Sequence, residues 1–254
     1  MATWANRRKF TYASFVCIVL IVVVGLPIFF TTYHRPTCSD GIRNGDEQGI
    51  DCGGSCQRLC QSAYLSPAIP WVKYEKVVEG RYNVAAYIVN PNTNGAALNV
   101  PYTFTLYDAE GILITEAAGV TSLSPHRNTV AFVGAVDTGK RIPARVTFEF
   151  TKAPLWQKAG DTVSDLAISN KKYTEDASGS SLTATIRNTS LYAYQKVYVF
   201  AVLLDSDGNV VGFSRTLIDR IDPGTSQVAP FTWPSSHDGR FTTIEILPIV
   251  PPRV

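Results

Sequence analysis

Hydrophobic and polar positions divide this chain into three regimes. Between Lys9 and His34 no charged side chain interrupts the apolar run "SFVCIVLIVVVGLPIFF". As a helix, residues 10–33 would extend about 36 Å at ~1.5 Å per residue, enough to cross a hydrocarbon core of ~30 Å. Phe10, Tyr12, Phe29, Phe30 and Tyr33 flank that run, where amphipathic rings favour a membrane interface. A short stretch rich in Gly, Asp and Cys follows, with no regular period. From Trp71 onward, short runs of Val, Thr, Tyr, Phe and Ile are separated by Gly, Pro, Asn and Asp, which predicts strands throughout.

Two of those runs differ in kind. Val100, Tyr102, Phe104 and Leu106 alternate with Pro101, Thr103 and Thr105, giving one face to a core and one to water. "VYVFAVLLD", 197 to 205, is apolar on both faces. Its second face, Tyr198, Phe200, Val202 and Leu204, therefore needs cover. Cover from within the chain is the expectation, since exposed apolar patches on soluble domains are uncommon. Without it, those four residues form an interaction surface.

The two halves also repeat. Asn90, Asp108, Gly111, Pro125 and Glu149 recur as Asn188, Asp205, Gly208, Pro223 and Glu245 at a spacing of about 97 residues, a whole domain rather than a solenoid unit. Each copy has a strand ending in "VN" or "RN", a long strand, an Asp-x-(Glu/Asp)-Gly hairpin turn and a further strand. Asp supplies side-chain acceptors to that turn and Gly a positive φ. Strands about every ten residues predict seven-stranded sandwiches. The boundaries read 1–9 for a cytoplasmic tail, 10–33 for the transmembrane helix, 38–61 for a disulfide-rich module, and 64–152 and 162–250 for the sandwiches. "TKAPLWQKAGDTVSD", 151 to 165, joins the copies and predicts an end-to-end arrangement with limited hinge freedom.

Charge sets the orientation. Arg7, Arg8 and Lys9 flank the apolar run on a very short tail, which places the N-terminus in the cytoplasm and the bulk outside. A cleaved leader fits less well, because the run is long and no small-x-small site follows "PIFFTTYHRP". The chain carries a net charge of only +2, part of it in that tail, so nothing resembles a footprint for nucleic acid.

Cys17 lies in the apolar run, leaving Cys38, Cys52, Cys56 and Cys60 in the oxidising compartment. An even set predicts two disulfides in one of three pairings. A short helix from Ser55 would put Cys56 and Cys60 on one face, reaching toward Cys38 and Cys52. So small a segment needs such crosslinks to fold. Asp40, Asn44, Asp46, Glu47 and Asp51, interleaved with glycines, are candidate oxygen ligands for Ca²⁺, although tight loops use the same residues and the spacing is not that of the helix-loop-helix calcium loop. No other cofactor is indicated: the cysteine spacing suits neither paired zinc knuckles nor a C-x-x-C redox centre.

The pattern carried by Cys38, Asp40, Gly41, Asn44, Gly45, Glu47, Gly49, Asp51, Cys52, Gly53, Gly54, Cys56 and Cys60 resembles a short cysteine-rich module of bacterial surface and membrane-anchored proteins. That resemblance implies an extracytoplasmic, disulfide-stapled knot with no enzymatic activity. "FTLYD", Phe104 to Asp108, resembles the signature of the FxLYD family of small immunoglobulin-like domains; the second copy has Ala201, Val202, Leu203, Leu204 and Asp205 there, keeping the leucine and aspartate. The resemblance implies a mainly β fold of two tandem immunoglobulin-like sandwiches in a bacterial envelope, and transfers no active-site residues.

Chemistry is sparse. Ser235, Ser236, His237 and Asp238 hold the residue types of a hydrolytic triad, but neighbours on one loop rarely converge and the same residues favour turns. Asn188-Thr189-Ser190 is a glycosylation sequon. No phosphate loop, HExxH helix or nucleophile elbow is present. The expectation is a non-catalytic envelope protein, held in the bilayer by residues 10–33, that binds another envelope protein or itself through edges or loops. A Ca²⁺-sensing ectodomain and, further off, a hydrolase using His237 are the rivals.

Overall fold

The computed structural model describes residues 4–32, 36–160, 165–176, 179–237 and 239–250. His34, the Tyr33 end of the apolar run, Asp238 and part of the 151–165 joint lie outside the described residues. The chain divides into two compact units, residues 1–56 and 57–254.

In the first unit the apolar run is helical, as α1 (Trp4–Leu20) and α2 (Leu26–Thr32) joined by a π-helical stretch, Ile21–Gly25. Pro27 explains the widening: it has no N–H to return to the preceding turn and its ring crowds the carbonyl four residues back. The Leu26 N–H accordingly donates to the Ile21 carbonyl, five residues back. The helix is long and apolar enough to cross a membrane over Asn6–Phe30, its most apolar 18-residue stretch having a mean hydropathy of 2.9.

The second unit holds the β-strands, and their order is the same in both halves. The first sandwich pairs the sheet β1-β2-β5 (Ala68–Val78, Arg81–Val89, Asn128–Asp137) with β4-β3-β6 (Leu113–Leu123, Gly95–Tyr107, Arg145–Phe150). The second pairs β8-β9-β12 (Leu166–Asp176, Gly179–Asn188, Ser226–Trp233) with β11-β10-β13 (Val210–Ile221, Tyr194–Leu204, Thr243–Ile249). A seventh strand, β7 (Trp156–Lys158), adds to β3 in the first sandwich only, so the second has six among the described residues.

The repeated residues fix turns. Asn90 is buried and donates to the Gly95 and Ser124 carbonyls, 2.9 and 2.7 Å, while its Oδ1 accepts the Asn92 N–H. Asn188 does the same to Tyr192 and Ile221, 2.6 and 3.0 Å, with Ser190. Its side chain is fully buried and both its donors are engaged, so the sequon is not presented for modification. Asp108 and Asp205 accept the N–H four residues on, from Ile112 and Asn209, closing their hairpins. Glu149 and Glu245 are not equivalent, however: Glu149 pairs across from Thr103 and Glu245 from Val202, one turn of the pleat apart.

Each sandwich has its own core. Val100, Tyr102, Phe104 and Leu106 point into the first, as their alternation predicts, beside Val84, Ala86, Ile88 and Leu123. Val197, Val199, Ala201 and Leu203 point into the second, with Phe231 and Trp233. A third apolar layer lies between the sandwiches: Ala85, Tyr87 and Val130 from the outer face of β1-β2-β5 meet Phe200 and Phe213 from that of β11-β10-β13. The sandwiches therefore stack face to face, and the end-to-end expectation is corrected. The physical reason is that β2 and β10 are apolar on both faces, and each face must leave water.

The expected joint is also partly structural. Trp156 is among the largest fully buried side chains, and β7 carries it into the first core. Gln57 to Leu59 run beside β7, with the Leu59 N–H donating to the Trp156 carbonyl and the Lys158 N–H to the Gln57 carbonyl, 2.9 and 2.8 Å. That pairing replaces the short helix predicted from Ser55; only a single 3₁₀ turn, Gln61–Ala63, forms there.

Candidate functional site

The cysteine segment is disulfide-bonded. Cys38 pairs with Cys56, closing a loop of 18 residues' separation, and Cys52 and Cys60 are disulfide-bonded too. Restricting a loop of that length in the unfolded chain is worth about 3 kcal/mol. Cys38, Cys56 and Glu47 cluster closely enough to hold a metal ion, but both sulfurs are spent in the bridge and no thiolate remains.

The acidic residues beside it act as loop scaffolding. Asp40 accepts the Thr37 and Ile42 N–H groups and the Asn44 side chain, and the Asn44 bond, foremost among these, holds its carboxyl below the ordinary range. Asp51 accepts the Gly41 N–H, and Glu47 those of Asn44 and Asp51. Asp46 accepts the Ser55 hydroxyl at 2.7 Å. Asn44 Oδ1 is buried with no hydrogen-bond partner.

His237 lies in the second sandwich's last turn and is buried, 2 % exposed. It does not meet Ser235 or Ser236 as a triad would. Its Nδ1 is 3.3 Å from the Ser180 hydroxyl, and its Nε2 is 3.3 Å from Glu75 Oε1 on the first sandwich's β1. Ser180 donates to the Ser235 carbonyl instead, and the other Glu75 oxygen accepts the Phe213 N–H at 3.1 Å. Trp233 lies edge-on against the imidazole, and a Cβ at Gly212 would come within 2.7 Å of Nε2. This row is sealed on all these sides. It ties the two sandwiches together at one border of the apolar layer, while Tyr87 donating to Glu245 at 2.8 Å does so within it. Burial first, then that carboxylate, raises the Tyr87 pKa.

The residues expected as an interaction surface separate. Phe200 and Val202 are buried, Phe200 against Phe132 of the first sandwich with ring centres 5.8 Å apart, so neither is presented to a partner. Leu204 is half-buried at the hairpin end. Tyr198 is 41 % exposed and lines a groove of about 410 Å³ between the sandwiches.

That groove is lined from both sandwiches. One wall is β10 and β11, with Lys196, Tyr198 and Arg215; the other is β4 and β5. Arg215 is held between two rings, 4.3 Å from the Phe132 centroid and 4.6 Å from that of Tyr198. Among the described residues it is in no salt bridge, and the groove lining contains no Asp or Glu. Sequence reading passed over Arg215, although the hairpin register after Asp205 places it directly across from Phe200. Its second ring, from Phe132, comes from the other sandwich and left no local signal.

No protein-family model matches the chain, and no curated protein matches it. Among solved structures, red sea bream transglutaminase is 10% identical, with 70% of this chain and 29% of that one covered, at a TM-score of 0.22. This chain thus spans under a third of that protein's length, and so weak a likeness carries no argument.

Proposed function

We propose that the protein is a membrane-anchored, extracytoplasmic module of a bacterial envelope, structural and protein-binding rather than catalytic. One observation carries the reading: an apolar helix able to span a bilayer is followed by cysteines joined in disulfides, which persist on the oxidising side of a membrane. Arg7, Arg8 and Lys9 at the helix start favour a cytoplasmic N-terminus. The equal strand order of the two sandwiches supports a tandem duplication of FxLYD-type domains. Their apolar stacking makes a stiff body suited to presenting strand edges to an envelope partner or to a second copy.

Crosslinking in intact cells followed by pull-down tests the role, and alkylation without reductant tests the compartment. The expected results are specific envelope partners and no label on Cys38, Cys52, Cys56 or Cys60. Four labelled thiols, or a C-terminal reporter active in the cytosol, would overturn the reading.

Calcium sensing is a second reading, favoured by the unpartnered Asn44 Oδ1 beside Asp40 and Glu47. Equilibrium dialysis showing no bound ion at millimolar Ca²⁺ would remove it.

A further inference from the structure

The groove between the sandwiches combines a free strand edge with a fixed cation. Ala118 to Ser122 line it as five consecutive residues, and Phe132 to Gly134 as three. Successive side chains of a strand point to opposite faces, so an unbroken run of lining residues means that the strand presents its edge. β4 and β5 are the outer strands of their sheets, which leaves those edges unpaired by any strand among the described residues.

Hydrogen-bond parity shows which groups of β4 are offered. Pro101 pairs across from Val120 and has no N–H, and its carbonyl accepts the Thr151 N–H on the β6 side, 3.0 Å away. The Pro101–Val120 pair is therefore a non-hydrogen-bonded one, and the N–H and C=O of Val120 point off the free edge. The same parity holds two residues back, at Ala118 across from Thr103. Val120 is 61 % exposed. On β5 the corresponding positions are already closed, because the Tyr102 hydroxyl donates to the Phe132 carbonyl and accepts its N–H, 3.0 and 3.1 Å. Tyr102 can reach them because position 119 is Gly; a Cβ there would sit 2.4 Å from the ring.

The edge thus open on β4 faces Arg215 and Lys196 across a lining that holds no carboxylate among the described residues. Arg215 loses little freedom on pairing, since two rings already orient it, and burial among them lowers its pKa without removing its charge. From this charge complementarity we infer that the groove binds an extended acidic peptide segment of a partner protein. The segment adds as a strand to β4 at Ala118 and Val120 and places a carboxylate on Arg215. The inference rests on the protein-binding reading above and names the partner's chemistry.

Fluorescence anisotropy with the full chain in detergent tests it, using a labelled, capped heptapeptide of alternating Thr and Glu and its Gln counterpart. The Glu peptide should bind, with about tenfold or greater weakening for the Gln peptide and for Arg215→Gln. Val120→Pro deletes only an outward N–H at an edge position that tolerates Pro, and should abolish binding while the thermal unfolding curve is unchanged. Equal affinity of both peptides, unchanged binding by either variant, competition by free glutamate as strong as by the peptide, or no binding at millimolar peptide would each overturn the inference. So would self-association of the chain lost in Val120→Pro, which would assign the edge to a second copy. Crosslinked partners retained by Arg215→Gln would sink the groove while leaving the protein-binding reading standing; loss of all partners from the wild-type chain would sink that reading.

Discussion

The two sandwiches share strand order but exchange which outer face is dry. In the first, β2 turns Ala85 and Tyr87 outward into the shared apolar layer, while β3 turns out Thr103 and Thr105. In the second, the matching strand β9 turns out Thr183 and Thr185, and β10 turns out Phe200 and Val202. A threonine pair marks the unjoined face in each copy and an apolar pair the joined one. Two sandwiches of equal strand order thus differ in which face becomes an interface through their outward residues, because alternation keeps those independent of the inward ones.

The interiors show a compensating exchange. The first copy fills its core with Tyr102 and Phe104 from β3, facing Val133 and Val136 on β5. The second has Val199 and Ala201 on β10 and supplies the bulk from β12, as Phe231 and Trp233. Cross-strand pairing makes the match: Val133 pairs with Val84 and Phe231 with Leu182. In the second sandwich the aromatic volume lies on the opposite sheet, so it lacks counterparts of the Tyr102 and Phe104 rings without being hollow.

The strongest way to break this comparison is Phe104→Ala, which gives the first copy the second's residue without the second's compensating rings. A loss of about 3–5 kcal/mol in urea unfolding is expected; less than about 1 kcal/mol would show that the cores do not trade volume as described. Next comes Phe200→Thr, which gives the second sandwich the outward residue type that β3 carries in the first. Burial of one large ring against the other sandwich is worth about 2–3 kcal/mol, so the calorimetric transition should separate into two while each sandwich keeps its strand signal. A single unshifted transition would deny the stacking its energetic role.

The smallest effect concerns alkaline pH. Tyr87 has its folded pKa raised, by burial first and Glu245 second. A group of that kind contributes stability fully present below its unfolded pKa, near pH 10, and lost as pH rises through the folded value. Wild-type stability should therefore fall above about pH 10 more steeply than that of Tyr87→Phe; parallel curves would remove Tyr87 from the stacking.

How much was legible follows from the range of each signal. The inward alternation of Val100 to Leu106 and the clasp at Asp108 and Asp205 were readable because period and turn chemistry are local, whereas Asn90 and Asn188 stood out only as repeated residues and their burial was not read. "VYVFAVLLD" announced a covered second face. "YNVAAYIVN" carried the matching announcement on β2, Ala85 and Tyr87, and was not read as such. Trp156 was assigned to a joint because a three-residue strand leaves no period to detect.

The candidate site was the least legible part. His237 was singled out beside its chain neighbours, whereas its partners Glu75 and Ser180 come from β1 and β9. Arg215 gains its fixed position from Phe132, which lies in the other sandwich. The sequence by itself determined the apolar helix, the β class, the hairpins and the even set of bridging cysteines, all of which depend on residues close in the chain. Only tertiary structure decided that the sandwiches stack on opposite faces, that Cys38 joins Cys56, and that a free edge looks onto a ring-held cation, because those depend on surfaces that pattern can mark as apolar but cannot pair.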